Sequence, residues 1–222
     1  NKTEDGVGSG SFTSEIIGLD PETPYYVRAY AVNSVGTSYG NEVIFTSGPL
    51  TDIDGNTYNT VTIGNQLWMK ENLKVTTLND GTDIALLEDN DAWFQARDPG
   101  YSWYDNDEDT YGDTYGAFYN WYTVNTAMLC PDGWHVATDD EWTELTDYLG
   151  GEGVAGEKLK ETGTGHWDSP NTDATNETGF TALPGGYRSN GGQYYSMGWR
   201  GMWWTSSMKD ETYIWTRWMQ AD

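Results

Sequence analysis

The chain has 222 residues, of which 36% are apolar, 15% aromatic and 21% charged, with 27 Gly, 12 Trp and 16 Tyr. So many aromatics are costly to leave in water and the charge is too sparse for a heptad surface, which excludes a disordered tail, a collagen-like chain and a coiled coil. Against 35 Asp and Glu stand 11 Lys and Arg, a formal net charge of -24, so phosphate backbones and anionic membranes are repelled and cations are the natural counterpart.

No apolar run reaches the roughly 18 residues that a membrane-spanning helix needs. The opening NKTEDGVGSGS lacks the charged and apolar regions of a secretory leader, so the expectation is a removed leader or a piece of a longer protein. The single cysteine, Cys130, permits no disulfide within the chain. Low lysine, abundant Thr, Asn, Gly and Tyr, and strong acidity suit a secreted or cell-surface protein.

Residues 11–46 alternate as half-buried strands do. SFTSEIIGL leads into the turn DPETP, and YYVRAYAVN then places Tyr26, Arg28 and Tyr30 on one face and Tyr25, Val27 and Ala29 on the other. The turn SVGT and a third strand NEVIFTS follow, a sheet that needs a partner layer. Gly48 and Pro49 mark a boundary. Beyond it a hairpin turns at Asp54-Gly55-Asn56, and the alternating TYNTVTI reaches another turn at Gly64-Asn65 before LWMKENL. From Asp80 to Asp113 eleven acids and one base, Arg97, are interleaved with Trp93, Phe94, Tyr101, Trp103 and Tyr104, which reads as long loops held by aromatic anchors.

The spacing predicts a helix over 139–149. Thr138 and Glu141 form a capping box, Trp142, Leu145 and Leu149 with Tyr148 make the apolar stripe, and Gly150 supplies the stop. No equally strong helix is expected later, where Gly-Gly and Asn-Gly turns separate short aromatic strands. An α+β or irregular β architecture is expected, with one or two helices against twisted sheets, and α+β is the fold class taken.

Chemistry-bearing side chains are few. His135 and His166, the two histidines, stand in no familiar metal spacing. Asp105, Asp107 and Asp109 alternate like the start of a calcium loop, yet Thr110 and Gly116 occupy the sixth and twelfth positions of that reading. Weak Ca2+ is the one cofactor these three carboxylates point to. Between Tyr194 and Trp218 eight aromatics fall in 25 residues, about twice the chain's average. Trp203 and Trp204 point to opposite faces of a strand, one expected in the core and the other exposed. Tyr194, Tyr195, Trp199 and Arg200 are the expected ligand contacts, with Arg188, Arg200 and Arg217 as forked donors.

Two resemblances organise the chain. Residues 1–48 resemble the last three strands of a fibronectin type III sandwich through Leu19, Pro21, Thr23, Tyr25, Asn33 and Gly36, which implies a tyrosine corner at Tyr25 and further strands upstream or from a neighbour. Residues 49–222 resemble the Fibrobacter succinogenes major paralogous domain. The carrying segments are DIDGNTYNTVTIGNQLWMKENLK, YSWYDNDE, YGAFYNWYTVNTAMLCPDGWHVATDDEWTELTDYLGG, GEKLKE, HWDSPNTDATNETGFTALPGGYR and WWTSS. That resemblance implies surface or secreted proteins of Bacteroidota, Fibrobacterota and relatives, and a fold similar to C-type lectins and formylglycine-generating enzymes.

It also implies that Tyr194, Tyr195, Met197, Trp199, Arg200 and Met202 lie in a region that some C-type-lectin-fold proteins diversify to change ligand. Relatives carry Cys at the place of Ser102, Pro at the place of Ala137, and a later strand ending in Cys, which implies a disulfide from Cys130 to a residue beyond Asp222 and a last core strand absent here. The oxidase-like relatives use two cysteines, which argues against their activity. The expectation is a non-enzymatic module binding glycan or surface protein. The alternative is a structural subunit of an appendage, filament or phage fibre, with neighbouring subunits as partners, and an oxidase or hydrolase comes third.

Overall fold

The computed structural model describes Thr3, Ser14, Ile16, residues 18–21 and residues 23–222. The chain divides into two compact units, Asn1–Leu50 and Thr51–Asp222. No helix among the described residues is long and apolar enough to cross a membrane.

In the first unit, β1 (Pro24–Asn33) and β2 (Gly36–Thr46) pair antiparallel from Pro24 opposite Thr46 to Asn33 opposite Gly36, with an irregularity between Arg28 and Tyr30. Asn33 closes the turn, its Oδ1 accepting from the N–H groups of Val35 at 2.8 Å and Gly36 at 3.1 Å. The Tyr25 hydroxyl accepts from the Asp20 N–H at 2.7 Å. The expected first strand, SFTSEIIGL, lies largely outside the described residues. What is described is a two-stranded sheet, which carries no fibronectin topology.

The second unit is α+β, built from several small sheets and five helices among the described residues. At its start, β3 (Leu50–Thr51) pairs with β4 (Thr57–Tyr58). The buried Asp52 makes the connecting turn, accepting from the Asn56 N–H at 2.9 Å and the Tyr58 hydroxyl at 2.6 Å, while Gly55 takes the left-handed φ of 87°. The hairpin of β5 (Thr60–Ile63) and β6 (Gln66–Met69) turns at Gly64-Asn65 as its sequence predicts. A three-stranded sheet follows, β7 (Ala85–Leu86), β8 (Gly100–Ser102) and β9 (Phe118–Tyr119), parallel then antiparallel.

The acidic stretch is not long loop. It holds α1 (Asn90–Gln95) and α2 (Glu108–Tyr115), and α3 (Trp121–Val124) follows. Each begins on a side chain that accepts a free backbone N–H of its first turn: Asp89 from Ala92, Asp107 from Thr110, Asn120 from Thr123. Asp89, Asp91, Asp107, Glu108 and Asp109 thus stand at helix starts, where a carboxylate also meets the positive end of the helix dipole. Helices of four to eight residues are too short to show an apolar period.

Helix α4 (Asp139–Tyr148) matches the sequence expectation. Thr138 and Glu141 close the capping box, and Trp142, Leu145 and Leu149 are buried. Its end is a Schellman pair, with Gly151 N–H to Thr146 O at 2.8 Å and Gly150 N–H to Asp147 O at 3.1 Å. Tyr148 departs from the expected stripe. It is 66% exposed and lies over Gly64. A further helix that periodicity did not single out, α5 (Glu152–Leu159), buries Ala155 and Leu159 one turn apart.

Short β10 (Tyr187–Arg188) and β11 (Tyr194–Tyr195) precede the long hairpin of β12 (Arg200–Met208) and β13 (Ile214–Gln220). This hairpin serves two cores. One contains Ile63, Trp142, Leu145, Leu149, Leu159, Trp167, Phe180 and Met219, with Trp203 and Trp199 against it. The other contains Val75, Leu78, Ile84, Tyr101, Trp103, Tyr119, Val124 and Leu129, with Trp204 against it. The expectation that one of Trp203 and Trp204 is exposed is thus corrected: both are half-buried, one against each core. Lys160, 3% exposed, ties α5 to β13 by donating to Thr172 O at 3.2 Å and Gln220 O at 2.9 Å. Burial lowers its pKa.

Candidate functional site

Three glycines allow the chain to cross itself closely before the long hairpin. Gly186 (φ 74°) donates to Arg200 O at 2.7 Å and bridges Gly201 in parallel. A side chain on Gly186 would collide with the Tyr195 and Met197 backbone. Gly198 (φ 82°) donates to Pro184 O at 3.0 Å. The residues between are pinned at the backbone, so their side chains stand on a fixed frame.

The contacts divide the six expected ligand residues into two groups. Tyr194 belongs to an aromatic row. Its hydroxyl donates to Asn106 Oδ1 at 2.7 Å, its ring lies 5.3 Å from Tyr104, and the row continues through Tyr111 and Tyr115 to His166. Burial raises the pKa of Tyr104, Tyr115 and Tyr194, at Tyr194 against the opposing pull of Ser102 and Arg188, which keeps their hydroxyls as neutral donors. Tyr195 is 46% exposed and tilts against Tyr187, and Met197 is half-buried.

Trp199, Arg200 and Met202 form the second group together with Trp218 and Gln220. The Arg200 guanidinium carbon lies 4.8 Å above the Trp199 ring and 4.8 Å above the Trp218 ring. Its Nη2 donates to Gln220 Oε1 at 2.6 Å, its directly opposed neighbour on β13. Nε is enclosed and has no hydrogen-bond acceptor among the described residues. Met202 stands opposite Trp218, which is 53% exposed. Trp218 belongs to the aromatic excess of the sequence but not to the expected contacts. The alternation of IWTRWMQ across a turn at Lys209–Tyr213 is the signal that places it beside Met202.

Of the three arginines expected as forked donors, two are engaged internally. Arg188, 9% exposed, donates to the carbonyls of Gly192, Leu87 and Glu88 and is layered between Trp93 and Tyr194. Arg217 donates to Asp139 Oδ1 at 2.6 Å and to Thr143, fastening β13 to the start of α4. The ion pairs of the described residues engage Lys74, Lys158 and Arg217 but not Arg200.

Asp105 sits in a left-handed turn (φ 50°), Asp107 caps α2 and Asp109 lies in its first turn. Among the described residues no group of three His, Cys, Asp or Glu side chains is placed to hold a metal ion. His135 Nε2 is 2.9 Å from the Glu141 carboxylate and His166 Nδ1 is 2.8 Å from that of Glu161. Cys130 is a buried free thiol whose pKa is pushed up to about 12 by burial.

The sequence pattern of the Fibrobacter succinogenes major domain matches residues 61–221. The chain belongs to this family. No curated protein and no solved structure matches it. The family's description carries Fibrobacter succinogenes, which corrects the expectation of a Bacteroidota protein. It gives no support to the labels of fibronectin type III or C-type-lectin-like domain. In the family's terms, the matched span contains every element from β6 through β13, and so both aromatic groups.

Proposed function

We propose that the chain is a secreted or cell-surface module that binds a ligand, a glycan or a surface protein, without transforming it. The observation that carries this reading is Trp218, half in water beside an arginine that no carboxylate pairs among the described residues. Stiff aromatics with a neighbouring forked donor dominate contact patches because they bury much area and lose little entropy. Binding rather than catalysis is supported by the thiol, which burial holds protonated. It is also supported by the two histidines, each already engaged by a carboxylate. Glycan and surface-protein arrays probed with the wild type and with Trp218→Ala test the reading. A ligand retained by the wild type and lost by the variant supports it. Chemical turnover of a retained ligand, or retention unchanged by the variant, overturns it.

A structural subunit of a surface appendage is the second reading, with one observation in its favour. In the first unit Tyr26, Val32, Tyr39, Val43 and Ile44 of the β1–β2 sheet are each more than half exposed. A two-stranded sheet with such faces gains from a covering layer. Sedimentation across a concentration series tests it: self-association lost on Ile44→Lys supports assembly, and a monomer throughout rules it out.

A further inference from the structure

We propose that Trp218, Arg200, Met202 and Gln220 form a subsite for one pyranose ring of a neutral glycan. The inference rests on the ligand-binding reading and commits it to one chemical class.

The argument starts from what the hairpin fixes. Arg200 and Gln220 are directly opposed, as are Met202 and Trp218, so all four side chains share one face of β12–β13. The guanidinium is held between two indoles and by Gln220, and is therefore oriented before any ligand arrives. Among the described residues its Nη1 has no acceptor and, unlike Nε, is not one of the enclosed unpaired atoms. A flat apolar ring half in water beside a fixed pair of N–H donors matches the two surfaces of a pyranose. The axial C–H face packs on the indole face turned away from Arg200, and hydroxyls that reach past the indole edge accept from the guanidinium.

Size and charge narrow the class. A protein partner requires about 800 Å2 of contact on each side. Along β13, however, the exposed Trp215 and Trp218 lie an odd number of residues apart and point to opposite faces, and Lys209 covers Trp215 at 4.9 Å. The two tryptophans therefore make no continuous apolar face, and Trp218 stands as a single exposed ring. An acidic sugar would find a cationic partner in Arg200 but would approach through the field of a chain with net charge -24, which favours a neutral glycan, most strongly at low ionic strength.

The test is calorimetric titration of the full chain at low salt with neutral hexasaccharides of glucose, mannose, galactose or xylose, and with a galacturonate hexamer. At least one neutral hexamer is expected to bind more tightly than the uronate. Trp218→Ala is expected to weaken that binding about tenfold or more and Arg200→Gln several-fold, with the melting temperature of Trp218→Ala close to wild type. No binding of any neutral hexamer, tighter binding of the uronate, or affinity unchanged in Trp218→Ala overturns the assignment. A surface protein bound through Trp218 in the absence of glycan binding overturns the assignment while leaving the ligand-binding reading intact. Absence of every Trp218-dependent ligand discards both.

Discussion

Trp203 donates its indole N–H to Asn72 Oδ1 at 2.9 Å, while its neighbour Trp204 donates to the Tyr119 carbonyl at 2.8 Å on the opposite side of the strand. One dipeptide thus fastens both cores to the same strand. Ring contacts reinforce each side, Trp203 with Trp142 at 6.3 Å and Trp204 with Trp121 at 6.0 Å. Because both indoles pack and both polar atoms are satisfied, neither is free for a ligand.

The first prediction follows from that pairing. Trp203→Ala and Trp204→Ala are each expected to destabilise the second unit by about 3 kcal/mol or more, as removal of a packed aromatic does. The double variant should leave little folded protein. Urea unfolding followed by circular dichroism measures this. A loss below about 1 kcal/mol at either position would mean that side chain is not part of the core.

Helix α4 was legible because a ten-residue helix is long enough to display a stripe and its capping box is local in sequence. The turns at Gly55 and Gly64 were legible for the same reason. What sequence did not disclose depends on distant partners. Asp89 and Asp107 look like loop acids until Ala92 and Thr110 are seen donating to them. Arg188 looks like a surface donor until the carbonyls of Leu87 and Glu88 and the Asn90 side chain, about a hundred positions away, are seen accepting from it. The second group of the candidate site has the same origin, since the stack of Arg200 on Trp218 exists only through the register of β12 with β13.

Acid sensitivity is the second prediction. Burial works to raise the pKa of Glu141, but hydrogen bonds from the Thr138 N–H and hydroxyl and from His135 outweigh it and set it below the usual 4.5. A carboxyl lowered in the folded state contributes stability that is present above its unfolded pKa and lost as pH falls through the folded value. Wild-type stability is therefore expected to fall between about pH 5 and pH 3 with a slope that Glu141→Gln reduces. At pH 7 the variant should be less stable by about 0.5 to 1 kcal/mol, the worth of a charged cap. Parallel acid limbs for the two proteins would show that Glu141 carries no such linkage.

Cys130 gives a chemical prediction. With its pKa pushed up to about 12 and the residue 8% exposed, the folded thiol holds almost no thiolate at neutral pH, and thiolate is the form that reacts. Iodoacetamide at about pH 8 should leave the folded chain unmodified over hours and label it promptly in denaturant. Mass spectrometry reads the outcome. Prompt labelling of the folded chain would contradict the buried placement.

The last prediction separates recognition from packing among three tryptophans. Trp142 is 4% exposed and lies 4.8 Å from Trp68, so Trp142→Ala should cost about 3 to 5 kcal/mol of stability. Trp199 is half-buried against the same core while its ring carries one side of Arg200. Its replacement should therefore lower both stability and ligand affinity, which makes it an ambiguous probe of either. Trp218 carries the other side of Arg200, is 53% exposed and belongs to neither core. Trp218→Ala should change stability by no more than about 1 kcal/mol yet weaken binding by about 2 kcal/mol, as loss of an anchor aromatic does. Urea unfolding and titration on the same three variants give the ordering directly. If Trp218→Ala unfolds the second unit as readily as Trp142→Ala does, the exposed indole is structural and the binding face must lie elsewhere.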